Sequence, residues 1–207
     1  MKDFMKEFPD EINRDEEYKI LGKILVDFEK IIDYLRFKIH TKMYSLGLNG
    51  DIGQTAMDIL LANMSAYQTV QKFRSLHIEI FSDKHFLTKR INLFTKCMLD
   101  LIEIRNKLIH ATWLIGYDPL SGSEERISRG FSDWYGKKGF IRKRIPLNIS
   151  LFNQLDKQIE LLFNFMNSFD IIEKEKKIKL REDVNEEVFT EIYSFLQKFK
   201  AKMETVF

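Results

Sequence analysis

The chain has one cysteine, three prolines and nine glycines in 207 residues. A lone Cys97 cannot close an internal disulfide, which excludes a disulfide-stapled scaffold and makes a reducing compartment the simpler expectation. So little proline and glycine excludes collagen-like and low-complexity chains. No apolar run reaches the length of a membrane span, and the N-terminal stretch MKDFMKEFPDEINRDEE is acidic and lacks the apolar centre of a signal peptide. Charge of one sign is missing too: 33 basic against 31 acidic residues leave +2, too little to announce a nucleic-acid binder by itself. Zinc-type spacing, a Gly-rich phosphate loop and a nucleophile elbow are all absent, so neither a metal nor a cofactor is expected. What is present, 44% hydrophobic and 31% charged residues, suits one soluble cytoplasmic domain over residues 1–207.

Most of the chain reads at the helical period. After Asp15-Glu16-Glu17, apolar residues recur at Tyr18, Leu21, Leu25, Phe28, Ile32, Leu35, Ile39, Met43 and Leu46, with Gly47 as C-cap and a turn at Asn49-Gly50-Asp51. A stripe through Ala56, Leu60, Met64, Tyr67, Val70, Phe73, His77 and Ile80 predicts one long helix over 52–82. A third helix is expected over 84–111, a fourth over 148–175 and a last over 184–204. Between 112 and 146 the texture changes to short aromatic and β-branched runs split by Asp118-Pro119, Ser121-Gly122, Gly136 and Gly139. The predicted architecture is mainly α: a bundle of about five long helices with a small antiparallel β insertion after the third.

The informative stretch is Glu103-Ile104-Arg105-Asn106-Lys107-Leu108-Ile109-His110. On a helical wheel Ile91, Phe94, Met98, Leu101, Ile104 and Leu108 cluster on one side, and Arg105 falls close to the middle of that stripe. A guanidinium stays charged, and burying it unpaired costs several kcal/mol, so it must meet a carboxylate, a cleft or an anion. Asn106 and His110 lie on the flank. Arg105 and His110 point roughly 140° apart, so a second copy of the helix related by a two-fold axis would bring them together more easily than one helix does. These residue types suit metal-independent RNA cleavage. An imidazole moves protons near neutral pH, a fork-shaped cation stabilises a five-coordinate phosphorane, and an amide orients either. Arginine five residues before histidine is expected by chance roughly 0.2 times in this composition, and roughly 0.01 times with asparagine next. If the motif were only structural, Arg105 would pair with a carboxylate such as Asp100 or Glu103 and His110 would cap the helix.

Arg-Asn-x-x-x-His at the end of a long helix in a helical bundle resembles the HEPN superfamily, whose signature is Arg-x4-6-His, often with a polar residue after the arginine. The resemblance covers the motif closely and the bundle loosely. It implies a homodimeric, metal-independent endoribonuclease of toxin–antitoxin, abortive-infection or antiviral defence systems, with Arg105, Asn106 and His110 catalytic at the dimer cleft. An antitoxin or defence-system partner protein is implied as well. Some HEPN toxins carry a modifiable tyrosine two residues past the histidine; Thr112 stands there, so that regulation is not expected. The alternative is a HEPN-like module that binds RNA or a nucleotide, or regulates, without turnover.

Weaker signals surround this motif. Lys137, Lys138, Arg142, Lys143 and Arg144 lie in a stretch from Trp134 to Leu155 without a carboxylate. Lys137, Lys138, Arg142 and Arg144 would track phosphates, with Trp134 or Tyr135 as a stacking platform. An edge hairpin kept soluble by its charges fits equally. His77 and Cys97 read as core residues, and most of the 18 phenylalanines as core or dimer interface.

Overall fold

The computed structural model describes residues 11–82, 85–114, 129–136, 139–146, 148–175 and 186–203. Six helices lie among the described residues: α1 (Glu11–Ser45), α2 (Asp51–Ala62), α3 (Ala66–Ile80), α4 (His85–His110), α5 (Ile149–Glu175) and α6 (Glu186–Met203). The molecule is mainly helical, as its periodicity requires. The backbone also pairs Thr112–Leu114 (β1) with Arg129–Gly136 (β2), and β2 with Gly139–Pro146 (β3), all antiparallel.

The long helix predicted over 52–82 is two helices, and the reason is local. Ser65 caps α3 by accepting the Gln68 amide N–H on its hydroxyl, while the Ser65 N–H donates to the Gln68 side chain. This reciprocal box offers the backbone a start that competes with continuing α2. Arg36 donates from Nη2 to the Met64 carbonyl at 2.8 Å, satisfying an acceptor at the break. The stripe shifts with it: Met57 and Leu61 of α2 are buried, whereas Leu60 is exposed. At the end of α1, Gly47 takes φ +105°, a left-handed conformation that a side chain resists, and so turns the chain toward α2.

In the bundle α1 packs on α5 and α3, α4 packs on α6 and α3, and α2 rests on α1. Stripe residues Ile91, Phe94, Met98, Leu101, Ile104 and Leu108 of α4 are all buried, as are Phe28, Ile32, Leu35 and Ile39 of α1. Phenylalanine rings knit the helices together. Phe73 meets Phe94 at 5.9 Å, Phe94 meets Phe165 at 5.3 Å, and Phe165 meets Phe189 at 4.8 Å, linking α3, α4, α5 and α6. Such offset and edge-on pairs add to the burial of large apolar surfaces. His77 is buried and donates from Nδ1 to the Phe73 carbonyl at 2.9 Å, a satisfied core histidine. No described helix is long and apolar enough to cross a membrane.

Candidate active site at the end of α4

α4 carries the motif into its last turn. Leu101, Ile104 and Leu108 anchor one side in the core, and this leaves Glu103, Asn106, Ile109 and His110 on the exposed side. Arg105 sits between the two sides with 29% of its side chain exposed. Its guanidinium passes over the Phe28 ring at 5.6 Å, a cation–π contact that shields it partly from water. Nη2 donates to Oε1 of Glu29 on α1, and Nη1 donates to Oδ1 of Asn106 at 3.2 Å. Buried Nε has no hydrogen-bond partner among the described residues.

The carboxylate that meets Arg105 is thus neither Asp100 nor Glu103. Those two face α6, where Lys200 donates to Asp100 at 2.8 Å and lies 2.5 Å from Glu103, and Gln197 donates to Asp100 at 2.5 Å. Burial pulls the Lys200 ammonium toward neutrality, and the hydrogen bonds with Asp100 and Glu103 outweigh it and hold its pKa above the ordinary lysine value. That network is complete without the motif. Glu29 was not legible as the partner, since nothing in the sequence separates it from the other acids of α1.

The bond from Arg105 occupies the Asn106 oxygen, and no partner for the Asn106 NH2 occurs among the described residues. Asn106 and His110 are both exposed, and the His110 ring makes no hydrogen bond or ion pair among the described residues. Beyond the motif, Trp113 donates from Nε1 to the Leu108 carbonyl at 2.8 Å and sets its ring edge-on to Phe152 at 6.2 Å. One orphan carbonyl of the helix end is satisfied this way, and the chain entering β1 is pinned beside His110. None of the three clearest cavities among the described residues includes Arg105, Asn106 or His110.

Lys137 and Lys138 lie outside the described residues. Arg142 stands across from Asp133 and Arg144 across from Phe131, whereas Trp134 stands across from Ile141. Residues alternate between the two faces of a sheet, so Trp134 has the opposite register to both arginines and Tyr135 shares theirs.

No cluster of three or more His, Cys, Asp or Glu suited to a metal ion occurs among the described residues. Cys97 is buried at the α4–α6 contact, with Sγ 3.7 Å from the Phe189 carbonyl. Burial, helped by the nearby Asp100 carboxylate, pushes its thiol up to about 12, so it is no nucleophile at neutral pH. Compared with family models, curated proteins and solved structures, the chain gives no match.

Proposed function

We propose that the protein is a metal-independent endoribonuclease of HEPN type, acting as a toxin or antiphage effector through paired α4 ends. The observation that carries this reading is the guanidinium of Arg105. It is half-sunk in an apolar seam, hydrogen-bonded to Asn106, and already holding a surface carboxylate where a phosphate would fit. In a dimer with the two α4 ends crossed, one His110 imidazole takes the proton from a ribose 2′-OH as that oxygen attacks phosphorus. The other His110 protonates the departing 5′-oxygen. Arg105 displaces Glu29 for the phosphate and stabilises the added negative charge, and the Asn106 NH2 donates to a non-bridging oxygen. The products are a 2′,3′-cyclic phosphate and a 5′-hydroxyl. We read the residues over 112–146 as a β insertion beside this cleft, with Lys137, Lys138, Arg142 and Arg144 following the RNA backbone.

The Arg105–Glu29 pair also favours a second reading, in which Arg105 is a structural cation neutralised inside its own chain and the site binds RNA without cutting, or binds nothing. Incubation with total RNA in EDTA separates the two. Cleavage that disappears in His110→Ala and Arg105→Ala supports the nuclease; intact RNA with wild-type protein supports the second reading.

A further inference from the structure

We propose that the outer face of α2 is a docking surface for a second copy of this chain. Met57 and Leu61 point from α2 into the bundle, and Ile52 and Ile59 point nearly the opposite way. A helix that served only this bundle would be polar there. Instead Ile52 is 88% exposed, Ile59 59% and Leu60 62%. Leu46 and Leu48, on the turn leading into α2, are 61% and 43% exposed. They adjoin the start of α2, and Gly53 lets that helix lie close against the turn, where a Cβ would be 3.1 Å from the Leu48 carbonyl carbon.

Together these five residues expose about as much surface as three whole aliphatic residues, on the order of 500 Å². A standard interface covers about 800 Å² per partner, and roughly 60% of that is apolar. The ridge therefore supplies the apolar centre of one such interface. Beside it runs a groove of 440 Å³ walled by Ile39, Met43, Met57, Leu61 and Met64, whose flexible thioethers repack around an incoming side chain.

Charge selects a second copy as the occupant. α2 has no basic residue; Asp51 and Asp58 occupy one flank of the ridge, and Lys72 of α3 borders the groove on the other. A two-fold axis running along α2 brings the acidic flank of each copy against the Lys72 flank of the next, whereas an axis across α2 would set Asp58 against Asp58. The two α2 helices thus run parallel, with Ile52 facing Ile52. This surface borders Ile39 and Met43 of α1, whereas Arg105 meets α1 at Phe28 and Glu29, about 15 Å or more along the helix. The two surfaces are therefore separate: a dimer that ignores substitutions on α2 would overturn this proposal and leave the RNA-cleavage reading standing, whereas a strictly monomeric chain would count against both.

Sedimentation velocity of the full chain over a wide concentration range tests it. The wild type is expected to show a concentration-dependent dimer. Ile59→Glu and Ile52→Glu should each weaken it about tenfold or more, with an unchanged melting temperature at concentrations where the chain is monomeric, because both side chains are already outside the core. Asp58→Lys and Lys72→Glu should each weaken the dimer, and the two together should restore it. Oxidised Ile52→Cys should cross-link between copies. A wild type that stays monomeric overturns the proposal, and a monomer destabilised by Ile59→Glu does so by assigning the ridge to a cover from its own chain. A dimer indifferent to both glutamate variants overturns it equally. A dimer without the Ile52→Cys cross-link and without charge-swap rescue overturns the parallel arrangement.

Discussion

Replacing Arg105 by leucine should cost the fold almost nothing, because the arginine occupies a place that the helix would otherwise give to an apolar residue. The losses are small. The Arg105–Glu29 pair has 29% and 46% of its side chains exposed, and such pairs contribute about 0.2–1 kcal/mol. The guanidinium over Phe28 adds about 0.5–1 kcal/mol. Against these stands a leucine mostly buried beside Leu101 and Leu108, a gain of about 1.5–2 kcal/mol, together with removal of the unpartnered Nε. The net change is expected within about 1 kcal/mol of zero. In urea unfolding, with a slope of about 2–3 kcal/mol/M, the midpoint should move by less than about 0.5 M. A loss of about 3 kcal/mol or more, as when a buried ion pair is broken, would refute the reasoning and make Arg105 a structural cation. Glu29→Gln should likewise cost under about 1 kcal/mol.

Three further outcomes follow from the packing and the charges. Phe165→Ala, at the meeting of rings from α4 and α6, should cost about 3–5 kcal/mol in the same assay. Asp100→Ala leaves Gln197 without its acceptor and Lys200 with Glu103 alone in a part-buried site, and should cost about 2 kcal/mol. Since folding raises the Lys200 pKa, its stabilisation is complete below the ordinary lysine value of 10.5. It should fade as pH rises through the higher folded value, and Asp100→Ala should flatten that alkaline limb of a stability profile. Cys97 should react with a thiol reagent only as fast as the chain unfolds, so labelling that is rapid in the native state would contradict its burial.

Helix content and the core were legible because burial follows period. The α4 stripe from Ile91 to Leu108 is buried throughout, and so is the α1 stripe from Phe28 to Ile39. The break at 63–65 was not legible from the stripe, because hydrophobic spacing runs on through it. Ser65 and Gln68 were the available signal, a capping box embedded in an apolar pattern. Missing that break also misassigned α2, whose core residues are Met57 and Leu61 and not Ala56 and Leu60. At the candidate site, the anomaly of Arg105 in an apolar stripe was readable, and so was its need for an anionic partner. That the partner is Glu29, 76 residues away, depends on how α1 lies beside α4, which no local pattern encodes.

Attack by the ribose hydroxyl is the claim on which the nuclease reading rests, and one oligonucleotide tests it. Once a cleavage site is mapped in an RNA, the same strand is made with a single 2′-deoxy residue at that site, and both are incubated with the protein in EDTA. The account predicts 2′,3′-cyclic phosphate ends from the parent strand and no cut at the substituted residue. Cleavage that continues at the deoxy position, or a parent strand left whole, would contradict it.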